Sequence, residues 1–349
     1  MSEMWNRFAE AVDFAVSHIE GDQDPLNDRE RADADQYVMR ILAAVTGTAM
    51  MRLDPDRPTF LPMLDAVRYV GAAGPDIDYD VAAVRPGGRY RITGRRGTAT
   101  YVGIAVYEGA GEAGATAIVL GVDVDELVEP DGTFGYEFEH PGAARVIIRQ
   151  YFHDRGAQTR GEWAIERVDA TFDGTMGLPT PIEMEFRAAN VAKSIRWNAQ
   201  LNELWTPALR RTPNTFVRQS SDDIVAAVPN PDVVYSTAWW RKGDDEVVVI
   251  EVTPPSCRYW GIQLCDRWFQ CYPDRRSNLN DRQIVTDQDG SIRIVIADGD
   301  PGHPNWLDAG GHRTGVAFFR WLHSDVDVQP VCSVTSVADF ARTFATRHA

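Results

Sequence analysis

The chain is long enough for about two folded domains, because it has 349 residues, of which 44% are hydrophobic. It carries 35 basic and 51 acidic side chains, which gives a formal net charge of −16. A protein this acidic repels nucleic-acid phosphates and anionic lipid surfaces, so we expect neither nucleic acid nor membrane as a partner.

The stretch 1–65 predicts a helical segment. Apolar side chains recur at three- and four-residue spacing in residues 3–19 and again in residues 29–51, which is the pattern of amphipathic helices. Acidic residues interrupt the first of these helices, so it lacks the continuous apolar core of a signal peptide. No apolar run is long enough to span a bilayer. The sequence therefore predicts a cytoplasmic protein.

A region rich in short β-type runs follows these helices. In residues 89–93, Tyr90 and Ile92 alternate with polar side chains, and alternation with a period of two is typical of a half-buried strand. A closing helix can take Ser336 as its N-cap. The predicted organisation is a helical segment at 1–65, a β module at 74–168, a connecting helical segment at 178–215, a second β module at 228–335 and a helix at 336–349.

The two β regions share short motifs. Pro75-Asp76 matches Pro231-Asp232, at a sequence offset of 156 (231 − 75). Tyr101-Val102-Gly103 matches Tyr259-Trp260-Gly261, at an offset of 158 (259 − 101). Near-equal offsets over this length indicate an internal duplication. We therefore predict an α+β, mainly β fold, in which two duplicated antiparallel β-sandwich or jelly-roll modules have flanking and connecting helices.

The second copy contains additional sequence before its last matched strand. Asp131-Gly132 matches Asp289-Gly290 at an offset of 158 (289 − 131). Farther along, His153 matches His323 at an offset of 170 (323 − 153), so the offset has grown by 12 (170 − 158). A loop added to a repeated scaffold is a common place for a binding site. A long hairpin loop without a function is also tolerated.

Several motifs of the second β region are similar to those of a known family. They are Asn230-Pro231-Asp232 with Tyr235, the strand at 259–264, Asn305-Trp306-Leu307, and the strand that ends Phe319-Arg320-Trp321. Over residues 228–325 the chain resembles the bacterial DUF1214 domain family, which carries an Asn-Trp-Leu-Pro loop and a strand ending in Arg-x-Tyr. Here Asp308 stands at the proline, and Trp321-Leu322 stands where the Arg-x-Tyr ending would finish. The resemblance implies β-sandwich or jelly-roll modules with helical additions, and it implies no particular reaction.

Tryptophans are concentrated beside the insertion and suggest a ligand site. Residues 239–306 contain five of the ten tryptophans, and such rings can stack on sugars or on other flat apolar molecules. We predict a tryptophan-lined cleft of the second β module that binds a small apolar or carbohydrate-like ligand. The predicted ligand-binding residues are Trp268, Asn305, Trp306, Arg320 and Tyr235.

Carboxylates and a histidine of the same region suggest acid–base chemistry. Two carboxyl groups that face one cleft can act as general acid and general base in a hydrolase or lyase. The predicted catalytic residues are Asp232, Asp266 and His323. A competing hypothesis is a non-catalytic protein, in which the duplicated modules serve structure or homo-oligomerisation and the tryptophans pack in cores or in a subunit interface.

Signals for metals, thiol chemistry and nucleotides are weak. His303 and His312 lie near aspartates but form no His-x-His pair, so they are only weak candidates for metal ligands. The four cysteines show no zinc-type spacing, and we expect free thiols in a reducing compartment. Residues 109–114 fit GxGxxG, but β-branched residues follow the motif instead of a helix, which favours a hairpin loop. No cofactor is predicted.

Overall fold

The structure is a computed structural model that describes residues 3–21, 25–51, 53–65, 67–109, 117–172, 177–219, 229–272, 274–324, 326 and 328–347. Most of the glycine-rich motif at 109–114, which was predicted to be a hairpin loop, lies outside these residues. The helices of the described residues are α1 (Glu3–Glu20), α2 (Asp28–Met50), α3 (Pro181–Ala199), α4 (Leu201–Trp205), α5 (Pro207–Arg211) and α6 (Val337–Arg347).

The amino-terminal and carboxy-terminal helices agree closely with the sequence pattern. Asn27 and Glu30 form a reciprocal capping box at the start of α2. At the start of α6, Ser336 Oγ accepts a hydrogen bond of 3.0 Å from the Asp339 N–H, as predicted for an N-cap. The connecting segment, predicted to be helical at 178–215, contains more than one helix. It is divided into α3, α4 and α5, and Pro207 begins the last of these.

The first β module is built from two sheets. One has five strands in the order β1-β2-β7-β4-β5, and the other has three in the order β6-β3-β8. The strands are β1 (Leu61–Pro62), β2 (Ile77–Ala83), β3 (Arg89–Arg95), β4 (Tyr101–Glu108), β5 (Ile118–Asp123), β6 (Thr133–Glu139), β7 (Ala143–Tyr151) and β8 (Glu162–Arg167).

The second β module repeats this arrangement. Its five-stranded sheet has the order β13-β12-β16-β10-β9, and its second sheet has the order β15-β14-β11-β17. The strands are β9 (Val217–Gln219), β10 (Val233–Arg241), β11 (Glu246–Val252), β12 (Tyr259–Cys265), β13 (Asn278–Asn280), β14 (Ile292–Ala297), β15 (Trp306–Asp308), β16 (Thr314–Leu322) and β17 (Val331–Ser336). The strand order therefore confirms the duplication.

Each module is a β-sandwich, because its two sheets share one hydrophobic core. In the first module, Ile92 of β3 and Val146 of β7 belong to the same buried cluster. In the second module, Ile250 of β11 and Trp321 of β16 likewise belong to one buried cluster. The predicted alternation of β3 is also observed, since Tyr90 and Ile92 are buried while their neighbours in the strand are exposed. The chain is therefore α+β and mainly β, as predicted.

Strand registers show which residues of the two modules are equivalent. Tyr79 of β2 lies opposite Arg149 of β7, and Tyr235 of β10 lies opposite Arg320 of β16. The two arginines are therefore equivalent, at a sequence offset of 171 (320 − 149). The sequence alignment was wrong by one position here, because it matched the histidines after these strands by identity alone. The offset consequently grows by 13 (171 − 158) along the second module.

The insertion adds an edge strand to the second module. It contains β15, which pairs in parallel with β14 and has no counterpart among the described strands of the first module. Leu307 of β15 is fully buried in the sandwich core. The Asn305 amide nitrogen donates to the carbonyls of Val285 at 2.7 Å and Arg293 at 2.9 Å. Much of the insertion therefore extends and closes the sheet.

The helices at the amino terminus and in the connecting segment cover one side of the second module. Ala15 of α1, Ile41 of α2 and Ile195 of α3 form a cluster with Trp268, which lies in the loop after β12. Burial of these apolar side chains attaches the helices to that loop. No helix in the described part of the chain is long and apolar enough to cross a membrane.

Candidate functional site

The two five-stranded sheets face each other, and their contact is called the seam here. Because side chains alternate along a strand, each sheet turns one set toward its own sandwich core and the other set toward the seam. The buried seam residues of the two modules form one cluster: Ile77, Tyr101, Tyr151, Val233, Tyr259 and Leu322. Tyr79 and Tyr235 pack against this cluster. The seam is thus rich in tyrosine.

Two tyrosine–aspartate hydrogen bonds cross the seam in opposite directions. The Tyr259 hydroxyl of the second module donates to Asp76 Oδ2 of the first at 3.0 Å. The Tyr101 hydroxyl of the first module donates to Asp232 Oδ2 of the second. Burial and the nearby carboxylate raise the pKa of both phenols well above the usual tyrosine value. Both phenols therefore stay protonated and act as hydrogen-bond donors.

A glycine two residues after each tyrosine makes room for the ring. A Cβ atom at Gly103 would lie 1.9 Å from the Tyr101 hydroxyl oxygen, and one at Gly261 would lie 2.7 Å from that of Tyr259. Each ring therefore lies over the backbone of its glycine, as in the aromatic covering of glycine in β-sheets. The repeated Tyr-x-Gly motif has this physical cause.

Five rings form a continuous row along the seam. The centroids of His153 and Tyr259 are 5.4 Å apart, and those of Tyr259 and Tyr151 are 5.3 Å apart. The row continues from Tyr151 to Tyr101 at 5.4 Å and from Tyr101 to His323 at 5.6 Å. These distances are typical of favourable aromatic contacts. At each end of the row, a histidine of one module therefore packs against a tyrosine of the other module.

The two histidines lie in different surroundings. His153 Nε2 is 2.8 Å from Asp281 Oδ1, and its Nδ1 is 2.9 Å from Thr100 Oγ1. His323 is more exposed and adopts a positive φ of 55°. Its Nε2 lies 3.7 Å from Asp232 and 3.8 Å from Asp123. The geometry therefore fixes the His153 ring more closely than the His323 ring.

A cleft of about 810 Å³ opens at the His153 end of the row. Its walls are formed by the loop after β7, the turn after β13, residues 73–79, Leu64, Asp65 and Tyr69. Its lining includes Tyr69, Asp76, Tyr79, His153, Arg155 and Arg282. This volume is within the range of small-molecule sites, although the lining carries more charge than most such sites.

Asp76 is the carboxylate that joins the seam to the cleft. Besides Tyr259, the side-chain amides of Asn278 and Asn280 donate to its Oδ2, each at 2.9 Å. Among the described residues, none donates a hydrogen bond to Asp76 Oδ1. The side chain is thus held firmly by one oxygen, which leaves the other oxygen for a bound molecule.

The inner wall of the cleft is attached to the second module through the backbone carbonyls of Ala72 and Ala73. The Ala73 carbonyl accepts hydrogen bonds from Tyr69 at 2.6 Å and from Gln263 at 2.9 Å. The Ala72 carbonyl accepts one from Arg320 at 2.8 Å. Arg320 also donates to Gln263 Oε1 at 2.5 Å. These contacts make Arg320 a buried support of the wall.

The backbone is strained beside this wall. Ala72 has φ 58° and Phe269 has φ 62°, and both values lie in the left-handed region that side chains disfavour. The Ala72 N–H donates to the Phe269 carbonyl at 2.8 Å. Strain of this kind persists only where surrounding contacts enforce it, and it is common at binding sites.

A separate polar cluster is buried between α2 and the second module, and it is called the buried polar cluster here. Its members are Glu30, Asp33, Asp266, Arg267, Tyr272 and His312. His312 Nε2 lies 2.9 Å from Asp33 Oδ2, and Arg267 donates to Glu30 at 2.8 Å. Asp266 Oδ1 accepts from the Trp268 N–H at 2.8 Å, so this carboxylate shapes its own loop. The cluster fastens α2 to the module.

The structure divides the predicted site residues among three places. Asp232, Tyr235, Arg320 and His323 lie at the seam. Asp266, Trp268 and His312 lie where the helices meet the loop after β12. Asn305, Trp306 and His303 lie around β15 and α6.

The predicted tryptophan-lined cleft is not assembled in the described part of the chain, because its two main rings are in different clusters. Trp268 is fully buried among the helices, whereas Trp306 packs against the cluster of Phe340. Neither ring lines the cleft beside the seam. The catalytic and ligand-binding roles given to these residues remain predictions.

The sequence did not single out the residues that line the observed cleft. The sequence feature that could have revealed them is the pair of duplicated motifs, Pro-Asp and Tyr-x-Gly. These motifs place Asp76 opposite Tyr259 across the seam. The described residues contain no group of three or more His, Cys, Asp or Glu side chains placed to hold a metal ion. His303 and His312, the weak candidates for metal ligands, therefore belong to no such group.

Comparison with known proteins supports the fold and gives no activity. Residues 213–327 match the model of DUF1254, a family of proteins of unknown function. An uncharacterised family over this segment was expected, although the family named from the sequence was DUF1214. No curated protein sequence matches the chain.

Solved structures include relatives of the whole chain. The crystal structure of an uncharacterized protein from Burkholderia cenocepacia has a TM-score of 0.89 and 25% identity, and the match covers 97% of this chain and 98% of that chain. The VPA0106 protein from Vibrio parahaemolyticus has a TM-score of 0.46 and 12% identity over 94% of this chain and 99% of that chain. The first of these relatives shares the complete fold.

Proposed function

We propose that the protein binds a small polar, carbohydrate-like ligand in the cleft beside the seam. The observation that carries this proposal is the position of Asp76, which is fixed through Oδ2 by three donors while its Oδ1 accepts no hydrogen bond from the described residues. A carboxylate held in this way is preorganised to accept hydrogen bonds from ligand hydroxyl groups.

The rest of the lining suits the same class of ligand. Arg155 and Arg282 supply charged donors at the mouth of the cleft, and His153 supplies an imidazole at its seam end. Tyr69 and Tyr79 offer aromatic surface against which the apolar face of a sugar ring could pack. These tyrosines would take the stacking role that the sequence assigned to tryptophans.

Two side chains of the cleft are also suited to catalysis. Asp76 and His153 would be the residues available for proton transfer in a hydrolase or lyase, because both reach the cleft and both are held by neighbours. Asp78 also lines the cleft, but Arg155 at 2.9 Å and Arg160 at 3.2 Å already engage its two oxygens. Asp78 therefore supports the wall.

The proposal is tested by thermal denaturation of the purified protein in the presence of monosaccharides, disaccharides and sugar acids. Native mass spectrometry of the freshly purified protein would identify ligands that it retains. We expect at least one compound to raise Tm, because a ligand that binds only the folded state stabilises it.

The matched variants are Leu64→Trp, which adds an indole to the cleft wall, and Leu178→Trp, which changes an exposed leucine outside the cleft lining. Leu64→Trp should abolish the rise in Tm, and Leu178→Trp should keep it. If the first variant keeps the full rise, or if the wild-type protein responds to none of the compounds, the proposal is wrong.

The second candidate function is non-catalytic, as a structural or oligomer-forming protein. It is supported by the packing of the tryptophans, because Trp239, Trp240, Trp268 and Trp321 are all among the fully buried side chains. Equilibrium sedimentation of the purified chain would test the oligomeric part of this candidate, and a monomer at all concentrations would contradict it.

We also propose a cytoplasmic location and kinship with DUF1214 over residues 228–325. All four cysteines are free thiols, which is the usual state in a reducing compartment. The kinship with DUF1214 is supported by the Asn305-Trp306-Leu307 motif. Its asparagine precedes β15 and donates to the backbone carbonyls of Val285 and Arg293. Fractionation of the native host tests the location, and an alignment of homologues over this segment tests the kinship.

A further inference from the structure

Some charged side chains of the cleft already have partners within the protein. Asp65 Oδ2 accepts two hydrogen bonds from Arg68, at 2.9 Å and 2.7 Å. Arg155 donates to the Pro75 carbonyl at 2.7 Å and to Asp78 at 2.9 Å. Because these groups are engaged, they shape the wall of the cleft and contribute little to the choice of ligand.

Arg40 of α2 also lines the cleft, and its charge is not paired. Its Nη1 donates to Gln270 Oε1 at 3.1 Å, and this amide oxygen is a neutral acceptor. No carboxylate of the described residues forms an ion pair with Arg40. Since a guanidinium has five N–H groups, Arg40 has donors left for a molecule bound in the cleft.

Gln270 holds the Arg40 guanidinium in position. The Gln270 side chain is buried, and its amide nitrogen donates to Asp266 Oδ2 at 2.8 Å, which turns its oxygen toward Arg40. Asp266 is fixed in turn, because its Oδ1 accepts from the N–H groups of Trp268 at 2.8 Å and Gln270 at 3.0 Å. These bonds preorganise a cation at the wall of the cleft.

Arg282 is a weaker candidate for binding an anion in the cleft. Its side chain is 74% exposed, and its Nε lies 3.6 Å from Asp281. An ion pair with an exposed arginine gains little, because a long side chain must be ordered in competition with water. Arg40 is half-buried and already held by Gln270, so it is the better anion-binding group.

We propose that the ligand of the cleft is a sugar acid, whose carboxylate binds Arg40 and whose hydroxyl groups donate to Asp76 Oδ1. This inference rests on the proposed function, because it names the class of carbohydrate that the cleft selects. A carboxylate has one negative charge and two oxygens, which match a single guanidinium. A phosphate group carries about two negative charges, which suits one arginine less well in a protein whose net charge is −16.

The unpaired charge of Arg40 explains why neutral sugars should bind less tightly. A ligand that fills the cleft removes water from the guanidinium, and a hydroxyl group replaces that water with only a neutral acceptor. A carboxylate supplies a charged acceptor, and hydrogen bonds between charged groups are the stronger ones. The cleft should therefore distinguish a uronate from its neutral hexose, which carries a hydroxymethyl group in place of the carboxylate.

The test is isothermal titration calorimetry of the full-length protein with matched sugars. The pairs are glucose with glucuronate, galactose with galacturonate and mannose with mannuronate, and glucose 6-phosphate is added as the phosphate probe. We expect at least one uronate to bind at least about tenfold more tightly than its neutral hexose and than glucose 6-phosphate.

Two results would overturn the inference and leave the proposed function standing. One is a neutral hexose that binds as tightly as its uronate, and the other is glucose 6-phosphate as the tightest ligand. If none of these compounds binds, the sugar-acid inference is wrong, and the wider set of compounds that includes disaccharides decides the proposed function separately.

Variants of Arg40 test the residue itself. Arg40→Gln should lower the affinity for the uronate at least about tenfold and leave the affinity for the neutral hexose unchanged or higher. Arg40→Lys keeps the positive charge and should keep the preference for the uronate. The control is Arg31→Gln, because Arg31 lies on the same helix, is exposed, pairs with Asp28 at 2.8 Å and does not line the cleft. Equal uronate affinity of Arg40→Gln and the wild type would contradict the role given to Arg40.

Discussion

Tyr259 and Asp76 are joined by a hydrogen bond of 3.0 Å that connects the two β modules across 183 residues of chain. Its counterpart joins Tyr101 to Asp232 in the opposite direction. Each module therefore supplies one buried tyrosine donor and one aspartate acceptor, and the two equivalent hydrogen bonds run in opposite directions. A seam built in this way should lose stability when either donor is removed.

Tyr259→Phe removes the donor and leaves the ring in place. Hydrogen bonds to charged groups contribute about 1.5–3 kcal/mol, and we expect a loss of about 2 kcal/mol in the free energy of unfolding, measured by urea denaturation. The control is Tyr136→Phe, because Tyr136 is half-buried and no described residue is hydrogen-bonded to its hydroxyl. Equal losses in the two variants would contradict a special role for the Tyr259–Asp76 bond.

Gly103→Ala tests why the tyrosine motif contains glycine. The new Cβ would lie 1.9 Å from the Tyr101 hydroxyl oxygen, so the ring must move away from Asp232. We expect a loss of about 2–3 kcal/mol in the free energy of unfolding, from the broken hydrogen bond and the strained packing.

Gly135→Ala is the matched control for this change. Gly135 also lies in a strand, but a Cβ there would have no atom within 4 Å. Alanine should therefore be neutral or slightly stabilising, by up to about 1 kcal/mol, because it reduces the freedom of the unfolded chain. A Gly103→Ala variant as stable as Gly135→Ala would show that the Tyr101 ring has no fixed position.

The sequence predicted the features that depend on local pattern. Tyr90 and Ile92 alternate with polar neighbours, and the strand they belong to is half-buried as expected. The repeated Tyr-x-Gly motif predicted the duplication, which the strand order confirms. These features are set by side chains a few residues apart, so periodicity and repetition reveal them.

The seam and the cleft could not be predicted in the same way. The Tyr101–Asp232 bond joins residues 131 positions apart, and no local pattern encodes such a pairing. The tryptophans misled the interpretation because the five-stranded sheets are buried on both faces, which turns Trp239 and Trp240 of one strand into core residues on opposite sides. The local enrichment in tryptophan therefore reflects core packing in this protein.

Trp268→Ala should detach the amino-terminal helices from the second module. The ring is fully buried, and it packs with Ile41 and Ile195. Truncation of a buried tryptophan costs about 3–5 kcal/mol, so we expect a lower urea midpoint and faster proteolysis within α1 and α2. Trp306→Ala should cost less, because that ring is only partly buried beside an edge strand. Similar losses in both variants would contradict this assignment.

Asp33 should make the attachment of α2 sensitive to acid. Burial alone would raise the pKa of Asp33, but the hydrogen bond and charge of His312, with the charge of Arg29, lower it below the ordinary value. A lowered folded-state pKa stabilises the protein above the unfolded pKa of about 4, and the stability is lost as pH falls through the folded pKa. Asp266 acts with the opposite sign, because burial raises its pKa.

A comparison of Asp33→Asn with Asp35→Asn isolates the contribution of Asp33. Asp35 is exposed on the same helix, so the control keeps the helix and the change in chemistry while it leaves the buried polar cluster intact. At pH 7, Asp33→Asn should lower the free energy of unfolding by about 3 kcal/mol more than Asp35→Asn, because it leaves His312 and Arg29 without their buried carboxylate. The difference, measured by urea denaturation from pH 7 down to about pH 3, should shrink below about pH 4, where the unfolded-state carboxyl is protonated. A difference that stays constant over this range would show that Asp33 contributes through packing and not through its charge.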